Sequence, residues 1–286
     1  MDVEEQRVLM YLMLSLMPGM GPATENLFLE AGGNIEMLFY SGEEKLKSLF
    51  CSRAFHRGLS VILQHRNSAV LRDTAESILK QCREAGITVI TKEMNSYPSR
   101  FSALKGMPGI LYTIGDLKIN DYVESVGIVG ARRCIQEGKN KSIEVASEAV
   151  SAGKAVISGM AKGIDSYAHT AAIRSGGYTV AILGNGPDIC YPKEHKALYS
   201  SIAQSGCIVS EYPPGTRPAA YRFPLRNRLI AAMCDELYII SAGRNSGTES
   251  TAAYAGQYGR KIITIPESLD RSADIKELSL EYNDNI

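Results

Sequence analysis

Two segments with the same hydrophobic pattern lie in the middle of the chain and predict the core of the fold. The apolar run 126–129 stops at Gly130, and the run Ala155–Ser158 stops at Gly159. Each run is followed by a stretch in which apolar residues recur at helical spacing. Two strand–turn–helix units in succession predict a doubly wound α/β sheet, in which ligands lie beyond the carboxyl ends of the strands.

Further apolar runs predict the other strands of this sheet. They are apolar throughout rather than alternating, which is typical of strands covered on both faces by helices. The sheet is therefore predicted to be mostly parallel. The predicted strands are 87–90, 108–112, 126–130, 155–158, 178–183, 207–210, 236–241 and 261–265, and the helices between the later ones are 135–149, 167–174, 196–204, 226–233 and 248–258.

The first 90 residues have a different pattern, with short helical segments and one longer amphipathic helix at 69–85. Two helical segments flank the Gly- and Pro-rich stretch 18–22, which is the layout of a helix-hairpin-helix module. The backbone N–H groups of such a hairpin can contact a DNA phosphate. Packing alone is the other interpretation, because Glu25 and Glu30 lie near the hairpin and no basic residue does.

Composition narrows the choice of partner and site. The 286 residues include 31 basic and 31 acidic ones, so a nucleic-acid site would have to be a local patch. Six scattered cysteines without a CxxC pair, and four scattered histidines, predict reduced thiols in a cytoplasmic protein and no metal site. Acidic residues before the first apolar run predict no secretory signal, and the run 8–17 is too short to cross a membrane.

The predicted strand ends gather basic and aromatic residues, which suits a polyanion. Aromatic rings among Arg and Lys are typical of sites for single-stranded nucleic acid, where bases stack and phosphates pair with cations. Arg226 and Arg228 have an alternative role, because arginines at a helix start oppose the helix dipole and would be stabilised by Glu211 or Asp165. The predicted DNA-binding residues are Arg132, Lys162, Lys193, Arg222, Phe223, Arg226 and Arg228.

Glycine turns at the same edge are candidate anion sites. Their spacing does not match a dinucleotide fingerprint, so no cofactor is predicted. Asp165 and His169 lie four residues apart at a helix start, which suits either a base with its orienting group or a helix cap with a packed histidine. The predicted phosphate or anion turns contain Gly130, Gly159, Gly163, Ser246 and Gly247.

Six motifs occur in an order that closely resembles the DNA-processing protein A (DprA/Smf) family. They are Val129-Gly-Ala-Arg132, Ser158-Gly-Met-Ala-Lys-Gly-Ile-Asp165 with Ala168-His169, Gly184-x-Gly-x-Asp188-x-x-Tyr-Pro192, Ser210-Glu211, Phe223-Pro-x-Arg-Asn-Arg228 and Ser246-Gly-x-x-x-Thr-Ala252.

The resemblance implies an extended Rossmann-like domain over about 91–270, preceded by a sterile-alpha-motif or helix-hairpin-helix-like domain over 1–90. It further implies a cytoplasmic, non-enzymatic homodimer that binds and protects single-stranded DNA and helps load the RecA recombinase in natural transformation. In the family, the DNA-binding motifs fall on Arg132, Lys193 and a loop that holds Arg222 and Phe223.

This sequence departs from the family at two positions, where Ser241 and Glu267 replace the usual Glu and Gly. These departures bear on dimerisation and on the RecA contact. The tail 271–286 is expected to form no winged helix.

The competing interpretation is an enzyme. Phosphoribohydrolases that resemble lysine decarboxylases share a related sheet and a Gly-Gly-x-Gly-Thr-x-x-Glu motif. Here Glu249 directly follows Gly-Thr, so its carboxylate would point elsewhere on the helix. A nucleotide-sensing module is a third interpretation and rests only on the glycine turns.

Overall fold

A computed structural model describes residues 2–32, 34–241 and 247–266. Its contacts divide the chain into two compact units. The first contains residues 1–97 and 102–112, and the second contains residues 98–101 and 113–286.

The first unit is mostly helical. Its longest helix follows the amphipathic pattern predicted at 69–85. The two longest helices are each capped by a polar side chain at the start: Asp2 accepts from the Glu5 amide and Ser68 from that of Leu71. The elements are α1 Val3–Leu16, α2 Pro22–Gly32, α3 Ile35–Tyr40, α4 Glu43–Leu49, α5 His56–His65, α6 Ala69–Glu84 and β1 Thr88–Thr91, followed by β2 Ile110–Gly115, which continues into the second unit. Helix α3 was not predicted; its start is marked only by Asn34, whose side chain accepts from the Met37 amide.

The second unit alternates strands and helices. Its elements are β3 Ser125–Gly130, α7 Gln136–Ser151, β4 Ala155–Ser158, α8 Ile164–Arg174, β5 Thr179–Leu183, α9 Lys196–Ser205, β6 Cys207–Ser210, α10 Arg222–Met233, β7 Glu236–Ile240, α11 Thr248–Gln257 and β8 Lys261–Ile265. The sequence-based prediction of a strand was confirmed for each of β3 to β8.

The strands form one eight-stranded sheet in the order β1-β2-β6-β5-β4-β3-β7-β8. The pairs β3–β4, β4–β5, β5–β6, β3–β7 and β7–β8 are parallel. From β3 the chain winds outward through β4, β5 and β6, and then returns to place β7 on the other side of β3. The direction of winding therefore reverses between β3 and β7, and open α/β sheets bind ligands at such a point.

Burial explains why the strands lack alternation. Every residue of β4, β5 and β6 is buried, because helices cover both faces of the sheet. On one face, Val126 and Ile128 of β3 pack with Val145 of α7 and Ile164 of α8. The mostly parallel α/β fold with an N-terminal helical region is confirmed.

One predicted boundary was wrong. Helix α10 starts at Arg222 rather than at Arg226, so Arg222 and Phe223 lie in its first turn and not in a loop. Pro224 is the third residue of this helix. A helix accepts proline in its first turn, where the backbone N–H would have no partner within the helix.

The six cysteines form no disulfide, and their burial differs: Cys82, Cys207 and Cys234 are buried, whereas Cys51 is exposed. Within the described ranges, no group of three or more His, Cys, Asp and Glu side chains is placed to hold a metal ion. None of the helices in the described part of the chain is both long and apolar enough to span a membrane.

Candidate nucleic-acid interface

A cleft of about 420 Å³ opens where the winding of the sheet reverses. The end of β3 contributes Gly130 and Arg132 to its wall, and the start of α11, which follows β7, contributes Gly247 and Thr248. Helix α10 closes the opposite side. The lining also includes Asp165, Phe223, Arg226 and Asn227. Five predicted site residues, Gly130, Arg132, Phe223, Arg226 and Gly247, thus line one cleft.

The turns after β3 and β4 are packed directly against each other. Gly163 has a φ of 76°, and a Cβ at this position would lie 2.3 Å from the carbonyl oxygen of Ala131. A Cβ on Gly130 would lie 2.0 Å from the Ile240 carbonyl oxygen. Ile164, which follows Gly163, donates its N–H to the Ala131 carbonyl at 3.2 Å. Both glycines therefore hold the cleft wall in place through close backbone approach.

The turn after β4 already holds an anion of its own. The carboxylate of Asp165 accepts hydrogen bonds from the backbone N–H groups of Gly159 and Ala161, each at 3.2 Å. A Cβ on Gly159 would lie 2.6 Å from a guanidinium nitrogen of Arg226 and 2.8 Å from an Asp165 carboxylate oxygen. Donors that could face a phosphate are thus occupied by Asp165, which leaves Gly159 a packing role in this geometry.

Arg226 is buried beneath the cleft floor, with 5% of its surface exposed. Its guanidinium donates to the Gly159 carbonyl at 2.8 Å and to the Ile182 carbonyl. Burial lowers the pKa of Arg226 to about 10, while Asp165 opposes that shift. Burial raises the pKa of Asp165, and Arg226 opposes that shift in turn. Arg226 therefore ties the ends of β4 and β5 to α10.

Arg228, the second arginine of the Arg-Asn-Arg motif, forms a two-pronged ion pair. Its guanidinium donates to the two carboxylate oxygens of Glu211 at 3.1 and 2.6 Å. Both side chains are largely buried, at 13% and 10% exposure. Between the two arginines, Asn227 donates to the Gly247 carbonyl and to the Ser250 hydroxyl, each at 2.9 Å, and so connects α10 to α11.

The remaining predicted cations lie at the surface. Arg132 and Lys193 are exposed, and neither has a hydrogen bond or ion pair with any residue in the described ranges. Lys162 is also exposed and forms an ion pair with Glu194. Charge that is free to meet an external anion is therefore found on Arg132 at the cleft and on Lys193, two residues after Tyr191.

Aromatic rings surround the first turn of α10. The rings of Tyr191 and Phe223 stack, with centroids 5.5 Å apart and an angle of 26° between their planes. The guanidinium carbon of Arg222 lies 4.9 Å from the ring centroid of Tyr212 and 5.3 Å from that of Tyr221. Arg222 also donates to the Arg217 carbonyl at 2.6 Å. The sequence showed only that these aromatic residues lie near basic residues along the chain, and it did not predict their contacts with one another.

Asp165 and His169 do not form the base-and-orienter pair that their spacing allowed. His169 is fully buried, and its Nδ1 lies 2.7 Å from the Thr179 hydroxyl of β5, a central strand. Burial lowers the pKa of His169 to about 3, so the imidazole is neutral. The capping alternative was also wrong in detail: the residue that precedes α8 is Gly163, and Asp165 bonds to the turn before it.

Three predictions fall outside the described residues: Ser246 of the anion turn, the Glu267 departure and the tail 271–286 without a winged helix. Two connecting residues, Ala161 and Asn227, were missed as contributors to the site. Asn227 lies within the Arg-Asn-Arg motif, so its position was visible in the sequence, but its bonds to α11 were not.

Comparison with known proteins gives a consistent match. The family model described as DNA recombination-mediator protein A matches residues 88–278. The DNA processing protein DprA of Streptococcus pneumoniae is 37% identical over 173 residues, which cover 60% of this chain and 61% of that protein. Protein Smf of Synechocystis is 32% identical over 218 residues, covering 75% of this chain and 54% of that protein. The chain thus spans less than two thirds of the length of these relatives.

Solved structures agree with this match. The X-ray structure of DprA from Streptococcus pneumoniae superposes with a TM-score of 0.76 at 29% identity, covering 95% of this chain and 90% of that one. A DprA from Helicobacter pylori superposes with a TM-score of 0.62 at 32% identity, covering 69% and 88%. The latter structure is described as revealing a single-stranded DNA binding mode. The family resemblance seen in the sequence is confirmed.

Proposed function

The chain belongs to the DNA recombination-mediator protein A family, and from that premise and the cleft geometry we propose that it binds single-stranded DNA at the edge formed by β3, β4, β5 and α10. The observation that carries the proposal is the exposed Arg132, which has no hydrogen bond or ion pair with the described residues and lies at the cleft between β3 and β7, where an open sheet receives its ligand. The single-stranded DNA binding described for the Helicobacter pylori relative supports it.

The residues divide into two groups in this proposal. Arg132 and Lys193 meet phosphates directly, and Lys162 joins them when its ion pair with Glu194 is exchanged for a phosphate. The rings near the first turn of α10 provide apolar faces for bases. Arg226 and Arg228 act through position: each is held by protein acceptors and fixes the strand ends that present the exposed cations.

A salt titration tests the proposal. Labelled single-stranded and duplex DNA of the same length are titrated with the protein, and fluorescence anisotropy is followed between about 50 and 200 mM salt. We expect tighter binding of the single strand at every salt concentration, with little sequence dependence, because bases can stack on protein rings only when they are not held in a duplex. Equal affinity for both forms at the same salt would overturn the proposal.

Two partners belong to the same proposal. Strand β8 is the last strand of the sheet, and the side chains of Ile262–Ile265 are only partly buried. An apolar edge strand favours pairing with a second copy, so we propose a homodimer through this edge. The family description as a recombination mediator supports handing the bound strand to a RecA-type recombinase in the cytoplasm, as in natural transformation. RecA filament assembly on protein-coated single strands, with and without this protein, tests that step.

We assign no catalytic role to the site. An acid–base mechanism would use Asp165 and His169, but Asp165 is bonded to backbone N–H groups and His169 to Thr179. Incubation with nucleoside monophosphates, followed by chromatography for released base, tests the phosphoribohydrolase alternative. Release of base at a rate that scales with protein concentration would contradict the assignment.

A further inference from the structure

The two α10 residues predicted to contact DNA in the first turn, Arg222 and Phe223, are both half-buried, whereas each has one exposed tyrosine ring beside it. Tyr191, which stacks on Phe223, is 44% exposed, and Tyr221, which covers the Arg222 guanidinium, is 63% exposed. The same arrangement thus occurs twice, because in each case a residue of α10 lies beneath an exposed tyrosine ring.

Phe223 is enclosed on more than one side. A Cβ on Gly184 would lie 2.9 Å from Cδ1 of Phe223, so the ring packs directly on the backbone that follows β5. Tyr191 stacks on the ring at a centroid distance of 5.5 Å. Tyr191 therefore covers Phe223 on one side, and Tyr191 itself is partly open to solvent.

Arg222 also has partners within the protein. Its guanidinium lies near the rings of Tyr212 and Tyr221 and donates to the Arg217 carbonyl. A cation held over the ring of an exposed tyrosine fixes the orientation of that ring. Arg222 is therefore placed to support the ring of Tyr221 as well as that of Tyr212.

We propose that Tyr191 and Tyr221 are the base-stacking platforms of this protein, and that Phe223 and Arg222 are the positioning residues that hold them. The inference rests on the proposed single-stranded DNA binding and names the groups that recognise the bases. A tyrosine ring has a π-face that accepts every base, so the platforms carry no sequence preference. Lys193, which follows Tyr191 by two residues and is exposed, is placed to meet a neighbouring phosphate.

The test separates bases from phosphates on the side of the ligand. Wild-type protein, Tyr191→Ala and Tyr221→Ala are titrated with oligothymidylate and with an abasic deoxyribose-phosphate strand of the same length. We expect each variant to bind oligothymidylate about tenfold more weakly. This loss of affinity lies towards the lower end of the range typical for the loss of one stacked base. Binding of the abasic strand should not change, because the phosphate contacts are the same.

Tyr40→Ala is the matched control. Tyr40 belongs to the first unit and is 64% exposed, so its removal deletes the same side chain at nearly the same exposure as Tyr221. It should leave both affinities unchanged. Tyr191→Phe should bind like the wild type, because the ring face and not the hydroxyl meets the base.

Double-mutant cycles then test the supporting roles. If Phe223 acts through Tyr191, the losses from Tyr191→Ala and Phe223→Ala should be strongly less than additive, and so should those from Tyr221→Ala and Arg222→Ala. The crossed pair Tyr191→Ala with Tyr221→Ala should be additive, because each ring holds its own base.

The results distinguish this inference from the function on which it rests. If the wild type fails to bind single strands, the proposed function fails. The platforms are refuted instead if the wild type binds with the expected salt dependence while the tyrosine variants keep full affinity for oligothymidylate. Equal losses on the thymidylate and abasic strands would also refute them, since that pattern marks a phosphate contact or a structural defect.

Discussion

Arg132 provides the sharpest test of the proposed interface, because it is the exposed cation on the wall of the cleft. The Arg132→Ala change removes a guanidinium that has no hydrogen bond or ion pair among the described residues. The backbone of the turn is held by neighbours of Arg132: Ala131 donates its N–H to the Ile240 carbonyl at 3.2 Å and accepts from Ile164. The substitution should therefore leave the turn intact.

The expected magnitude follows from counterion release. Each phosphate neutralised on a single strand contributes about 0.7 to the slope of log K against log salt. Losing one contact should reduce that slope by about 0.7 and weaken binding about fivefold at 0.1 M salt relative to the 1 M limit. Folding stability should change by no more than about 0.5 kcal/mol, as is usual for surface substitutions.

The assay is anisotropy with single-stranded DNA across a salt series, together with thermal unfolding of the same preparations. Arg57→Ala is a suitable control, because Arg57 is also exposed but lies on α5 of the first unit. It removes the same charge from the chain and should leave the salt slope unchanged.

Two results would refute this reasoning. An unchanged salt slope for Arg132→Ala would show that the guanidinium meets no phosphate. A large loss of stability, with normal affinity in the folded fraction, would show that Arg132 holds the loops together.

The remaining predictions concern the supports beneath the interface. Arg228→Ala should lower the free energy of unfolding by about 3–5 kcal/mol in urea, because it leaves the Glu211 carboxylate buried and unpaired; wild-type stability would contradict this. Gly159→Ala should destabilise the fold and reduce DNA affinity, since its Cβ would meet Arg226 at 2.6 Å, and a normal melting temperature would count against that packing. Because burial lowers the pKa of His169 to about 3, from 6.5, the unfolded state gains a proton that the folded state does not between those values. As the pH is lowered below about 6.5, the free energy of unfolding should therefore decrease by up to about 1.4 kcal/mol per pH unit because of this group. A His169→Gln variant whose free energy of unfolding, measured in urea, decreased equally steeply would disprove this.

The sequence by itself predicted the strands, their parallel arrangement and the edge of the sheet where the proposed interface lies. Strands buried on both faces must be apolar throughout, and the runs that became β4, β5 and β6 show this without any knowledge of their neighbours. Glycines at 130 and 159 marked where the strands end; a Cβ would collide with the Ile240 carbonyl oxygen at position 130 and with the Arg226 guanidinium at position 159.

Tertiary structure alone decided which charged and aromatic groups are free. The sequence left two roles open for Arg226 and Arg228, and the structure shows that they are held by carbonyl oxygens and by Glu211, whereas Arg132 is exposed. Partners for a buried charge come from strands and turns that are distant along the chain, 67 residues away for the Gly159 carbonyl and 17 for Glu211. The same holds for Tyr191 and Phe223. The stacking of their rings depends on how α10 packs against the turn that follows β5, and that contact cannot be predicted from the local sequence pattern.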